Sequence, residues 1–477
     1  MNIDWYLISA EIILAAYGVG LLVIGMLLPA DQRKGVGPVT GWFLIGFLIY
    51  LMTMFNVDDV FMGIYHIDPF ATFMKIALVI AAVIVVFTSN DWIVKQGNQP
   101  EYYSLVIFAT LGMFAMASAG DLITAYIGIE MMTLAFVILA GFKKGDGYSA
   151  ESGMKYLVLG AMSSAIILYG LTLIYGSTQS LLIVDIAGVV ATKGVEPVML
   201  LGIILLIASF SFKNALIPFH MWAPDVHGGA PTPVTALLTS TSIKAAGFAI
   251  FIRFFVIGFA GTWEVWGGML IALSILTLVV GNLIALSQTN LKRMLAYSSV
   301  SHGGYVILGL IAYTELGITA ILYYSLVYVF ANAGAFIVVS VIERSTGGSK
   351  EISDVSGLAV RSPWLATLMM FFLASLAGLP PTAGFMGKFF LFTSVIEQGM
   401  AWLIVIALVM TIVSLYYYLR VIKTMFWGEP PSDTAVPMSN SVNATLTICM
   451  LFVILLGVYP ALVYDWAAIA VKAFMPF

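Results

Sequence analysis

The stretch Leu205-Leu-Ile-Ala-Ser-Phe-Ser-Phe-Lys213-Asn-Ala-Leu-Ile-Pro218-Phe-His220-Met-Trp-Ala-Pro-Asp-Val-His227-Gly-Gly-Ala-Pro-Thr-Pro233 begins as an apolar helix and then meets four prolines and two glycines. Each proline removes a backbone donor and pushes its ring against the preceding turn, so the helix cannot run through. The segments on either side, Pro197–Phe212 and Val234–Ile257, are strongly apolar. In hydrocarbon, interrupted backbone is tolerated only inside protein or against water. The stretch therefore predicts a membrane helix broken beside a polar pocket, with Lys213 and His220 at the break. Leu376-Ala-Gly-Leu-Pro-Pro-Thr-Ala-Gly384 repeats the pattern, and Lys388 follows it.

The rest of the 477-residue chain agrees: 61% of residues are hydrophobic and 9% are charged. Soluble domains carry about 25% charged residues, so this chain lacks the polar surface to cover a water-soluble core. The mean hydropathy is +1.04. A net charge of −4 and the absence of a basic cluster exclude a nucleic-acid partner. The single cysteine, Cys449, cannot form an intrachain disulfide or hold an iron–sulfur cluster, and reads as a small buried hydrophobe. Asp4 and Glu11 stand where a secretion signal would be basic, so the first apolar run is expected to be a helix of the mature protein.

Apolar runs long enough to cross roughly 30 Å of hydrocarbon predict an all-α membrane protein of fourteen spans. They lie near 5–29, 38–55, 70–88, 102–119, 121–141, 153–176, 197–228, 232–257, 267–287, 296–313, 317–341, 362–398, 401–423 and 441–462. The seventh and twelfth are discontinuous, and 178–193 reads as an interfacial helix. With both termini outside, Arg33, Lys34, Lys95, Lys143, Lys144, Lys292, Arg293, Arg344, Lys350 and Arg361 fall in inner loops, with Arg420 and Lys423 at the same side. The opposite side holds Asp58, Asp59, Asp68, Asp185, Glu196, Glu264 and Glu315, which is the positive-inside pattern. The fourth to eighth and ninth to thirteenth spans form two sets of five, each with the broken helix fourth. Because five is odd, the copies would be inverted. The expected divisions are 1–100, a three-helix segment; 101–260 and 261–424, the two repeats; and 425–477, the last helix and tail.

Ionisable residues inside membrane spans are costly and point to ion pathways. Glu130 lies well inside its span, and Lys155 near the start of the next, so the pair could meet across antiparallel helices. Opposite charges would then tune each other's protonation. Lys213, Lys244 and Lys388 lie in mid-membrane with few carboxylates nearby. Lysine exchanges a proton when buried, which arginine does not, so the three suggest a hydrated, titratable axis. His220 and His302 are candidate relays. His227 reads as a loop or helix-end residue and His66 as external. Arg253 and Lys75 lie near span ends, where long side chains reach the interface.

Several segments together resemble the antiporter-like membrane subunits of respiratory Complex I. They are Pro100-Glu-Tyr-Tyr103, Gly128-Ile-Glu130, Gly153-Met-Lys-Tyr-Leu157, Ile217–Pro233, Lys244-Ala-Ala-Gly-Phe248, Leu291–Ser299 and Gly378–Lys388. The resemblance spans about residues 5–462. It implies a proton-pumping subunit without a redox centre of its own, in which Glu130, Lys155, Lys213, Lys244 and Lys388 transfer protons and His220 and His302 sit on the polar axis. It also implies no cofactor in this chain, with NAD, FMN, iron–sulfur clusters and quinone elsewhere in a bacterial inner-membrane complex that includes antiporter-like paralogues. The alternative it leaves is a subunit of a multisubunit sodium/proton antiporter. Gly228-Gly229 departs from the family pattern, which often has a larger or acidic residue there.

Overall fold

The computed structural model describes residues 4–29, 31–430 and 434–475. The chain is an all-α membrane bundle. Among the described residues, twelve helices are long and apolar enough to cross a membrane, from Ser9–Leu27 to Asn440–Val458, and Pro197–Lys213 and Pro363–Ala377 are shorter apolar helices. Local chemistry sets many of the starts. Asp68 caps Pro69–Ile93 by accepting from the Ala71 amide at 2.7 Å, and Asp121 caps Leu122–Ala140 through the amides of Ile123 and Thr124. Asp146, Asn290, Thr314 and Ser439 cap the helices that follow them in the same way. Each such cap satisfies an amide that the helix cannot.

Glu315–Ser345 is the axis of the bundle. Its apolar window is wholly buried, and it packs against Pro69–Ile93, Pro363–Ala377, Ala383–Glu397 and Asn440–Val458. The outer helices Ser9–Leu27 and Ala401–Trp427 leave rows of Ile, Val, Leu and Trp exposed, as lipid-facing helices do.

Both predicted breaks are present. Pro197–Lys213 ends, and the chain resumes as the short helix Trp222–Gly229. The backbone freed in between is paired as hydrocarbon demands: the Ile217 amide donates to Thr277 Oγ1 at 3.0 Å, and the Trp222 indole to the Phe212 carbonyl at 2.9 Å. Pro363–Ala377 and Ala383–Glu397 flank the second break. There the Lys388 ammonium donates to the freed carbonyls of Leu376 and Ala377 at 3.2 and 3.0 Å. Gly229 explains the departure from the family pattern. A Cβ there would lie 2.5 Å from the Tyr148 carbonyl oxygen, so only glycine lets the end of the short helix seat on Gly147–Thr178.

Several expectations need correction. The helix after the first break, Thr232–Gly258, contains π-helical stretches at Leu238–Ala246 and Arg253–Gly258. Arg253 does not reach for the interface. It is 1% exposed, lies against the rings of Phe70 and Phe474, and donates to both Asp68 oxygens at 2.9 and 2.8 Å and to the Ala117 carbonyl. Lys75 likewise stays inside, 2.7 Å from Glu11. In each case a carboxylate from another segment satisfies the cation internally, so the side chain has no need of water. A small hairpin pairs Asp59–Phe61 with Tyr65–Ile67, residues 183–193 form a helix, and the tail continues as Ala461–Phe474.

Candidate functional site: a buried series of ionisable side chains

The first cluster joins three helices. Leu122–Ala140 contributes Glu130 and, one turn on, Thr133. Gly147–Thr178 contributes Ser164, whose hydroxyl donates to Glu130 Oε1. Pro197–Lys213 ends in Lys213, which is 2% exposed and donates to Thr133 Oγ1 at 2.8 Å. Glu130 lies within electrostatic reach of the Lys213 ammonium. The carboxylate expected to face Lys155 therefore has Lys213 as its cationic neighbour.

Lys155 points elsewhere. Its ammonium is 2.8 Å from Asp225 Oδ2 and 2.7 Å from Glu151, and its side chain is 39% exposed. The Glu130–Lys155 contact expected from the sequence is thus replaced by a pairing across the first break, because the short helix Trp222–Gly229 brings Asp225 over the start of Gly147–Thr178. Arg293 also reaches Asp225, at 3.4 Å. These groups line a polar cleft of about 440 Å³.

Beyond the break the series continues inward. Lys244 is fully buried in a π-helical stretch, a geometry found often at functional sites. Its ammonium has no hydrogen-bond partner among the described residues. It lies beside Gly303 and the backbone of Asn214, the residue at which the Pro197–Lys213 helix ends. The next residue, His302, carries a hydroxyl on each ring nitrogen: Tyr324 on Nδ1 and Tyr418 on Nε2, the latter at 3.2 Å. Lys244 and Lys388 both lie within electrostatic reach of this imidazole. Lys388 closes the series over the face of Tyr305, 4.6 Å from the ring centroid, and Thr411 donates to the Tyr305 hydroxyl.

His220 stands apart from this line. It is 7% exposed in the first break, its ring centroid 6.3 Å from that of Tyr297, and its Nδ1 has no partner. Sequence reasoning missed Asp225, which lies among the prolines and glycines of the first break and was not set apart as a charge within an apolar run, and the hydroxyls of Thr133 and Ser164 and the tyrosines around His302, which are ordinary residues for a membrane helix. It also set Lys292 in a loop. Lys292 is fully buried and donates to the Ala230 carbonyl at 2.5 Å. Its helix begins at Leu291, directly against the segment that leaves the first break. His227 is fully buried as well. Among the described residues, no three His, Cys, Asp or Glu side chains converge as metal ligands.

The chain is 46% identical over 474 residues to NADH-quinone oxidoreductase subunit N of Moorella thermoacetica, covering 99% of both proteins. It is 45% identical to subunit N of Desulforamulus reducens over the full length of each. Its fold matches a chain of respiratory complex I from Thermus thermophilus with bound aureothin, at a TM-score of 0.83, 34% identity and 96% and 99% coverage. It also matches a chain of the Mrp complex from Dietzia at 0.84 and 21% identity, covering 97% of each, a likeness of fold alone. The family described as NADH:quinone oxidoreductase/Mrp antiporter, TM, matches residues 119–414. With the half-buried Glu130 near the buried Lys213, a lysine-bearing broken helix at each end of the series and these relatives, the chain belongs to the antiporter-like membrane proteins of that family and resembles its members known as NADH-quinone oxidoreductase subunit N.

Proposed function

We propose that the chain translocates protons in the membrane arm of a respiratory NADH–quinone oxidoreductase, driven by quinone reduction in other subunits. It sits in a bacterial inner membrane beside antiporter-like paralogues. The observation that carries this reading is that His302 neighbours both lysines, through Gly303, which the Lys244 ammonium approaches, and through Tyr305, whose ring lies under Lys388, with Glu130 and Lys213 across the first break. The twelve long helices and the two broken ones support fourteen crossings. Two inverted sets of five, within 101–260 and 261–424, would place one break in each. Lys143, Arg293 and Lys350 mark the inner, cytoplasmic side, with both termini outside.

The geometry suggests how a proton moves. The Lys213 ammonium donates to the Thr133 hydroxyl, with the Glu130 carboxylate within electrostatic reach. Lys155 is held by Asp225 and Glu151. If it swings to Glu130 during turnover, it takes over that negative charge and favours release of the proton from Lys213 toward Lys244. His302 then passes it on by way of the Tyr324 and Tyr418 hydroxyls on its two ring nitrogens, and Lys388 receives it beside the second break. His220, in the first break, borders the entry to Lys213.

The test is to purify the intact assembly, reconstitute it in vesicles, and compare wild type with Lys213→Ala and Glu130→Ala, with and without sodium and an uncoupler. Loss of donor-driven proton uptake in both assembled variants is expected; normal coupled uptake in both refutes the axis. Sodium movement without donor-driven quinone reduction would favour the second reading, a subunit of a sodium/proton antiporter, which the Mrp fold match keeps in view.

A further inference from the structure

His227, read from sequence as a helix-end residue, is fully buried, and neither ring nitrogen has a hydrogen-bond partner among the described residues. It occupies the short helix of the first break, tilted against the Trp222 indole with centroids 5.4 Å apart. Buried imidazole nitrogens left unpaired are costly, and such groups in native proteins are usually met by ordered water. The ring does not sit alone. The ammonium groups of Lys292 and Lys244 both lie within electrostatic reach of it. Lys244 likewise has no hydrogen-bond partner among the described residues.

Toward the inner side, Lys292 lies within electrostatic reach of Glu343. Glu343 accepts from the Thr232 hydroxyl and is 3.1 Å from Lys350, which also donates to the Gly228 carbonyl at 3.3 Å. This carboxylate lines a cleft of about 240 Å³ with Trp92, Asp146, Thr232, Arg344 and Lys350. The cleft is bounded by Gly229–Pro233, the segment leaving the break. A carboxylate at a polar cleft bonded to Thr232, a buried lysine on the Ala230 carbonyl, and an imidazole with no hydrogen-bond partner among the described residues thus gather around the segment that leaves the first break, with the Lys244 ammonium within electrostatic reach of the ring. Glu130, Lys155 and Lys213 take no part in this group.

We propose that Glu343, Lys292 and His227 form a proton inlet from the inner side that loads Lys244 by a route separate from the Glu130–Lys213 step, and that each turnover uses both. Glu343 takes up a proton from the cleft and passes it by way of Lys292. His227 accepts it at one ring nitrogen and releases the proton of the other toward Lys244, and a flip of the ring then restores the starting tautomer before the next proton follows. The proposal rests on the proton axis stated above.

The test uses the reconstituted intact assembly and reads proton uptake against donor–quinone turnover. His227→Phe keeps a ring of similar size and removes both nitrogens; Glu343→Gln keeps the hydrogen-bonding shape and removes the acid. Each should slow donor-driven uptake about a hundredfold, the low end of what a positioned proton-transfer group contributes. The double variant should be no slower than the slower single, because both act on one path. Glu343→Asp should recover most of the rate, which a purely structural role would not predict. Wild-type uptake in assembled His227→Phe, or multiplicative losses in the double variant, overturns the inlet. Failure of His227→Phe and the milder His227→Gln to assemble would make the residue structural and overturn it as well. Normal uptake in Lys213→Ala would defeat the axis itself, whereas loss in Lys213→Ala with normal uptake in His227→Phe would defeat only the inlet.

Discussion

Gly303→Ala presses directly on the middle of the proposed proton axis. Its new methyl carbon would lie 3.1 Å from the Lys244 ammonium, 2.8 Å from Leu216 Cδ2 and 3.5 Å from the Asn214 carbonyl oxygen. Ordinary contact begins near roughly 3.5 Å, so the ammonium must retreat by about 0.4 Å and the leucine by about 0.7 Å. Overpacking of this kind costs about 1–3 kcal/mol, while alanine in the Leu291–Ala312 helix regains about 1 kcal/mol over glycine. The net loss of stability should therefore stay below about 2 kcal/mol, and the complex should assemble. The functional effect should be larger in proportion. Misplacing a reacting group by about 1 Å costs on the order of a hundredfold, so a shift near 0.4 Å predicts roughly a tenfold slower proton uptake. Leu216→Val removes the clashing methyl, so Gly303→Ala with Leu216→Val should regain thermal stability while uptake stays slow. The assay pairs the thermal midpoint of the purified complex with donor-driven uptake in vesicles. Wild-type uptake in the double variant would refute the claim that the position of Lys244 matters for transfer.

Arg253→Met should destabilise the subunit by about 3–5 kcal/mol, because it strands the buried Asp68 carboxylate; lower yield and thermal midpoint of the assembled complex would register this, and adding Asp68→Leu should recover part of the loss. Asp146→Ala removes a cap that accepts from the amides of Tyr148 and Ser149 at 3.0 and 3.3 Å, and should cost about 1 kcal/mol of thermal stability. The bonded Lys143 ammonium holds the Asp146 carboxyl below its usual value, against a smaller opposing effect of burial. The stabilisation is therefore complete above the ordinary carboxylate range and fades as pH falls through the lowered value. A melting curve of Asp146→Ala that runs parallel to wild type through that acid range would contradict this.

The axis divides into what composition announces and what only packing arranges. Glu130, Lys213, Lys244 and Lys388 are legible because a charged residue inside an apolar helix is costly wherever that helix packs. The two breaks are legible because proline removes its own backbone donor in any fold. The partners of those groups are another matter. Arg253 and Lys75 were expected to reach water, yet each finds a carboxylate distant in sequence, Asp68 and Glu11. Lys155 was expected on Glu130 and lies instead on Asp225, because a helix of only eight residues, Trp222–Gly229, folds back across its end.

By itself, the sequence of this protein determined that it spans a membrane through apolar helices, two of them broken, with lysines at mid-depth. Those properties follow from the solvation of each segment and need no knowledge of its neighbours. Tertiary structure alone decided which charge faces which, that His227 and Lys292 lie inside rather than in loops, and that the Lys388 ammonium meets the carbonyls freed at its own break. Hydrogen bonds and close ion pairs need their partners within about 3–4 Å and here join residues from separate helices, so they exist only once the bundle has closed.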